Sequence, residues 1–235
     1  EESLRTQLQD LDWLNLKWDE GPDAKTLEDF GPHAPYRQSK RLDNYLKHAE
    51  KLIESGMAYY CFLTDEQISE QKEKAKLSGG SYQVKSPYRE LSLSEAKEKL
   101  ANGEKATVRF KIPESDDQYK FTDLVRGEIT LPSHMVGDFV LMRTNGMPVY
   151  NFCCVIDDAA MEITHVFRGE EHLSNTLRQL MLYEAFGYKA PEFGHLSMIL
   201  GENKKKLSKR DAAVSCDDFK SQGFLPEAVL NYNNE

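Results

Sequence analysis

Residues 163–200 read ITHVFRGEEHLSNTLRQLMLYEAFGYKAPEFGHLSMIL, and the order of patterns within them decides the fold. Ile163 to Phe167 is an apolar strand signal. A helical pattern from about Ser174 to Phe186 follows, ended by Gly187, and His195 to Leu200 reads as a second strand. Strand, helix and strand in that order predict a parallel α/β architecture. In such sheets ligands bind outside the carboxyl ends of the strands, so chemistry is expected in the loops beginning at Arg168 and Gly201.

Towards the amino terminus, Leu4, Leu8, Leu11 and Leu14 lie at helical spacing behind acidic residues, which predicts an amphipathic helix over 1–14. Gly21, Pro22, Gly31 and Pro35 mark a long loop. A second helical pattern runs from Tyr36 to Ser55 and stops at Gly56, and a short strand is expected from Met57 to Phe62. Thr64 with Gln67, and Ser92 with Glu95, form capping boxes ahead of two charged helices, with a break at Ser78-Gly79-Gly80. Thr107 to Ile112 alternates strictly, with Val108, Phe110 and Ile112 on one face and Thr107, Arg109 and Lys111 on the other, so a half-buried strand is predicted. Strand signals at Phe121 to Leu131 and Phe139 to Arg143, closed by the turn Asn145-Gly146, complete what reads as an inserted α+β module.

Composition narrows the class. A chain of 235 residues with 40% hydrophobic content has a core of ordinary size. The uncharged stretch Met147 to Ile156 falls short of the roughly 20 apolar residues of a membrane span and contains Asn151, so a soluble protein is expected. Glu1 is not Met and no signal-peptide pattern follows it, which suggests a natural start further upstream. Cys61, Cys153, Cys154 and Cys216 include an adjacent pair and no C-x-x-C spacing, so neither a disulfide framework nor a zinc knuckle is indicated and a reducing compartment fits. A net charge of −9 rules out nucleic-acid binding by bulk electrostatics and leaves it to local patches. The sharpest patch is Lys204, Lys205, Lys206, Lys209 and Arg210. Lys206 and Lys209, three apart, can both point at one polyphosphate, although charge alone favours a solvated basic loop.

Lys206-Leu207-Ser208-Lys209-Arg210 resembles the KMSKS-type loop of class I aminoacyl-tRNA synthetases, in the form carried by the glutamyl family. Gly31 to Ser39, Tyr150-Asn151-Phe152, Asp157-Asp158, Thr164 to His172 and Gly223 to Ala228 are similar to segments of the same family in the same order, so the likeness covers nearly the whole chain. The resemblance implies a Rossmann-like parallel sheet of the class I type with an inserted α+β acceptor-stem-binding domain. Residues 1–61 would form the first part of the catalytic domain, 62–146 the insertion, 147–212 the second part with the basic loop, and 213–235 the start of a helical stem-contact region. The function implied is ATP-dependent ligation of glutamate to tRNA through a glutamyl-adenylate. A glutamyl-queuosine tRNA synthetase and a non-catalytic tRNA- or nucleotide-binding relative remain as alternatives.

Carried over by position, Lys206 and Lys209 are catalytic, and together with Arg210 they hold the ATP phosphates. Glu171 and His172 meet the ribose and adenine side of ATP, and the backbone of Met198 and Ile199 reads the adenine edge. Arg168 recognises the substrate carboxylate, a match that a guanidinium makes with two charge-assisted hydrogen bonds, and Tyr150 and Cys154 line the amino-acid pocket. Read without the resemblance, Arg168 is a core-edge arginine paired with Glu170, the commoner situation in structures, while Tyr150 reads as well as a packed helix aromatic, Cys154 as a small buried residue, and Glu171 and His172 as the capped start of a helix. Magnesium is expected with ATP. Zinc is not expected, because Cys61 has no neighbouring cysteine and Ser86 stands where a partner would. The implied partners are glutamate, ATP and the acceptor end of tRNA(Glu), with a monomer in a bacterial cytoplasm or an organelle. The HIGH-type turn of the family would lie before Glu1 and its anticodon-binding domain beyond Glu235, so the piece alone is expected to be inactive.

Overall fold

The computed structural model describes residues 2–77, 83–113, 118–198 and 216–232. It comprises two compact units, one of residues 1–40 with 197–235 and one of residues 41–196. The first unit opens with α1 (Glu2–Trp13), whose Leu8 is buried, followed by β1 (Gly21–Pro22) paired antiparallel with β2 (Asp29–Phe30). The loop beyond is tied by Glu20, which accepts hydrogen bonds from Tyr36 Oη at 2.6 Å and His33 Nδ1 at 2.8 Å.

In the second unit, α2 (Leu42–Glu54) begins six residues later than the apolar pattern predicts, because Tyr36 is held by Glu20 and Gln38–Lys40 takes a 3₁₀ turn. Its buried stripe of Tyr45, Ala49 and Leu52 keeps helical spacing. β3 (Ala58–Cys61) follows, then α3 (Asp65–Leu77) and α4 (Leu93–Ala101). Both predicted capping boxes form: Thr64 and Gln67 bond reciprocally, as do Ser92 and Glu95.

β4 (Thr107–Phe110) departs from the half-buried reading. It lies between β3 and the later strand β7, and Val108, Arg109 and Phe110 are all buried, so residues on both of its faces are covered. Arg109 is 5% exposed and donates from Nη1 to the Asp138 carbonyl at 3.2 Å. The single strand signal at 121–131 is a hairpin of β5 (Gln118–Asp123) and β6 (Gly127–Pro132). Asp123 Oδ1 makes the turn by accepting the backbone N–H groups of Val125 and Arg126, both at 3.0 Å. β7 (Phe139–Met142), α5 (Tyr150–Ala160), β8 (His165–Gly169), α6 (Leu173–Phe186) and β9 (Glu192–Leu196) complete the unit. Gly187, at φ 66°, caps α6 in the left-handed conformation favoured by glycine. The chain then enters the first unit again with α7 (Cys216–Ser221) and α8 (Pro226–Tyr232).

Among the described residues, β3, β4 and β7 form one antiparallel sheet, and a second sheet has the order β6-β5-β9-β8. β8 and β9 run parallel, joined by α6, as residues 163–200 predict. Their register, from His165↔Glu192 to Gly169↔Leu196, sets β9 three residues earlier than the apolar run His195 to Leu200 suggests. Gly194 lets the Phe167 ring lie across β9, where a Cβ would come within 2.6 Å of it.

The core is Tyr45 and Leu52 of α2, Phe152, Val155 and Ile156 of α5, and Leu177, Met181 and Leu182 of α6, each worth about 2 kcal/mol of burial. One charge pair sits inside it. Arg41 Nε donates to Asp157 Oδ1 at 2.7 Å and Tyr45 Oη donates to Asp157 Oδ2 at 2.6 Å, joining α2 to α5. Asp157 is 8% exposed and Arg41 9%, so neither charge has much water to replace its partner. Asp157→Ala is therefore expected to cost about 3–5 kcal/mol, read as a lowered urea midpoint. A midpoint unchanged from the parent would remove the pair from the fold's support.

Candidate functional site

The site grows from the carboxyl end of β8, where the strand delivers Arg168 at the point predicted for chemistry. The chain then makes a 3₁₀ turn, Glu170–His172, into α6. Arg168 is fixed along one edge: Nε donates to His195 Nε2 at 3.2 Å and Nη2 to Thr176 Oγ1 at 2.7 Å. Its guanidinium carbon stands 5.2 Å from the centre of the Phe193 ring, close enough for a cation–π contact. Glu170 pairs with Arg126 of the hairpin turn.

Helix α5 supplies the opposing wall. Tyr150, Cys154 and Asp158 follow at intervals of four residues, which places them on one helix face. All three interact with Arg168. Burial raises the Tyr150 phenol and Cys154 raises it further, while Arg168 draws it back. Burial pushes the Cys154 thiol up to about 11, against a hydrogen bond from Tyr150 and the pull of Arg168. At neutral pH Cys154 is thus a polar, uncharged thiol. Asp158 is raised as well, mainly by burial, although Tyr183 Oη donates to it at 3.1 Å.

The three residues predicted to bind the amino acid, Arg168, Tyr150 and Cys154, are therefore together. His172 joins them: its ring lies 5.7 Å from that of Tyr150, and its Nδ1 is 3.1 Å from Asn175 Nδ2. Glu171 is exposed and its carboxylate folds over Gly169, where a Cβ would collide with it. Met198 is half-buried and belongs to the first unit. Ile199, Lys206, Lys209 and Arg210 lie outside the described residues.

The sequence reading passed over Asp123, Thr176 and His195. His195 and Thr176 are fully buried and Asp123 is 2% exposed. His195 Nδ1 lies 2.5 Å from Asp123 Oδ2, and the His195 backbone N–H donates to Asp123 Oδ1 at 3.1 Å. Burial alone would raise the Asp123 carboxyl. The bonds from His195 and from the Val125 and Arg126 amides outweigh it and hold the group at about 2. The alternation of β5 carries a faint signal for Asp123, the one acidic residue at the turn of the hairpin, but nothing in the spacing links it to a residue 72 positions away. Asp158 was accessible from sequence, since the four-residue spacing from Tyr150 through Cys154 continues to it.

Comparison with known proteins bears on this site. The model of the catalytic domain of class I tRNA synthetases (E and Q) matches residues 1–234. A glutamate–tRNA ligase of Bdellovibrio bacteriovorus is 57% identical over 233 residues, covering 99% of this chain and 47% of the relative. One from Sulfurihydrogenibium sp. is 48% identical, over 96% and 46%. The crystal structure of a glutamate tRNA ligase from Elizabethkingia meningosepticum in complex with its amino acid superposes with a TM-score of 0.84 at 35% identity, over 97% of this chain and 49% of that one. The chain spans about half the length of the curated relatives it matches.

The depressed Asp123 carboxyl gives a pH signature. An unfolded Asp titrates near 3.9 and the folded one at about 2, so the stabilisation is complete above about pH 4 and is lost as pH falls towards 2. Asp123→Asn is expected to be less stable than the parent by on the order of 2 kcal/mol at neutral pH, with the gap closing across that window in urea titrations. A gap independent of pH would show that the carboxylate charge contributes nothing.

Proposed function

Because the chain belongs to the class I tRNA synthetases of the E and Q type, whose catalytic domain accounts for residues 1–234, we propose that it is the glutamate-activating part of a glutamate–tRNA ligase. The carboxylate of glutamate attacks the α-phosphorus of ATP in line, pyrophosphate leaves, and the resulting glutamyl-adenylate passes its acyl group to the terminal adenosine of tRNA(Glu). Alignment and stabilisation of charge supply most of the acceleration in such a displacement.

The observation that carries the glutamate reading is Arg168 at the carboxyl end of β8, with Tyr150 and Cys154 against it. A guanidinium oriented in advance meets a side-chain carboxylate with charge-assisted hydrogen bonds, and glutamine offers no charge in return. Tyr150 supplies a hydroxyl and Cys154 a neutral thiol to the same pocket. In this reading Glu171, His172, Met198 and Ile199 serve ATP, and Lys206, Lys209 and Arg210 neutralise its phosphates; the sequence of the basic loop supports that assignment.

Magnesium arrives with ATP as part of the substrate. We expect no zinc, a view supported by Cys61, which is buried with its Sγ 3.3 Å from Ser86 Oγ. Residues 62–146 would meet the acceptor stem through its shape and phosphates. No helix among the described residues is long and apolar enough to cross a membrane. A monomer acting in a bacterial cytoplasm or an organelle completes the reading.

In the full-length protein, Arg168→Ala should abolish most glutamate-dependent pyrophosphate exchange. Undiminished exchange would show the substrate assignment to be wrong. Lys209→Ala should slow the chemical step by about 2–4 kcal/mol of activation free energy, measured in single-turnover adenylate formation. An unchanged rate constant would take Lys209 out of the mechanism.

A further inference from the structure

The donors of Arg168 are not equivalent. Nε–H and the adjacent Nη2–H form one edge of the guanidinium plane, and that edge is already occupied by His195 Nε2 at 3.2 Å and Thr176 Oγ1 at 2.7 Å. We propose that His195, oriented by Asp123, is the positioning residue of the amino-acid site: it takes the side edge of Arg168, so that a substrate carboxylate is gripped end-on through Nη1 and Nη2. The proposal rests on the reading of Arg168 as the carboxylate-binding residue.

Hydrogen-bond polarity leaves one arrangement of His195. Its Nδ1 is 2.5 Å from a carboxylate oxygen, which has only lone pairs to offer, so Nδ1 must carry a proton. Its Nε2 receives the Arg168 Nε–H and must present a lone pair. The opposite tautomer would set lone pair against carboxylate at Asp123 and N–H against N–H at Arg168. Thr176 Oγ1, 3.0 Å from the same Nε2 and 3.3 Å from the His172 carbonyl, accepts from Arg168 and donates to one of these. The chain of polarity therefore runs in one sense, from Arg168 through His195 to Asp123.

The anchors of this relay are rigid. Asp123 Oδ1 is itself bound to three backbone N–H groups, those of Val125, Arg126 and His195. The Arg126 side chain also returns to the sheet, with Nε donating to the His195 carbonyl at 3.1 Å. Both faces of the His195 peptide are thus pinned by the β5–β6 turn. His195, Thr176 and Asp123 are buried, so water does not compete for these bonds. An arginine held along one edge by such a frame loses less freedom on binding an anion than one that must first be ordered.

Substitutions at His195 separate its two roles. Asn places an amide nitrogen near Nδ1 and keeps the bond to Asp123 while removing the acceptor for Arg168. Gln places an amide oxygen near Nε2 and restores that acceptor. In pyrophosphate exchange by the full-length protein, His195→Asn is expected to raise the KM for glutamate about tenfold or more while the KM for ATP stays within about twofold. His195→Gln should recover most of the loss, and Thr176→Val should produce a smaller rise, again for glutamate alone. A folded His195→Asn with the parent's glutamate KM overturns the proposal, and so do Asn and Gln variants impaired alike with both KM values rising together. If His195→Asn does not fold, Thr176→Val decides in its place: a rise confined to glutamate supports the relay, and no rise or a parallel rise overturns it. Arg168→Ala run alongside separates the two claims, because an unimpaired Arg168→Ala condemns the binding role of the arginine itself, whereas an impaired Arg168→Ala with normal His195 and Thr176 variants condemns only the positioning.

Discussion

A carboxylate deprived of water must be satisfied by the protein around it, and the way Asp123 is satisfied organises this half of the molecule. Its two oxygens accept from the turn of the β5–β6 hairpin, from the backbone of β9 and from the imidazole of His195. One group thereby fixes where the hairpin joins the parallel strands, at Asp123↔Phe193, and which way His195 faces. An unsatisfied buried carboxylate would cost several kcal/mol, so hairpin, strand and imidazole are constrained to stay together. Arg168 inherits that constraint because His195 is one of its two acceptors on the edge turned into the sheet.

The reach of sequence reasoning follows from the range of the interactions involved. The βαβ unit of residues 163–200 was legible because periodicity, the Gly187 cap and the apolar strand at Val166 and Phe167 are local signals. Both capping boxes were legible for the same reason. The burial of Arg109 is not legible in β4 itself, because the alternation of a strand says nothing about whether a second face is covered. The hairpin inside 118–132 is hidden in the sequence because Leu124 and Val125 continue the apolar character of the flanks while an Asp side chain makes the turn. His195 was read as plain strand, and its partner Asp123 lies in another part of the chain.

The candidate site was legible to a similar degree. Resemblance nominates Arg168, Tyr150 and Cys154 as candidates, and the geometry adds what resemblance could not, namely the stripe of Tyr150, Cys154 and Asp158 on one face of α5 turned towards the guanidinium. The guanidinium of Arg168 is set beside a thiol and a phenol that are uncharged at neutral pH. A thiol raised to about 11 and a phenol raised by burial do not compete with an incoming anion, and burial raises the Asp158 carboxyl above its ordinary value. In the proposed reading, a charged substrate side chain would add charge-assisted hydrogen bonds to Arg168 that the uncharged amide of glutamine could not.

The most direct test is a crystal structure of the full-length protein with glutamate bound. Both oxygens of the substrate's side-chain carboxylate are expected within hydrogen-bonding distance of Arg168 Nη1 and Nη2, with Nε still on His195. A side-chain carboxylate bound elsewhere, or Arg168 turned away from His195 to receive it along the Nε edge, would contradict that expectation.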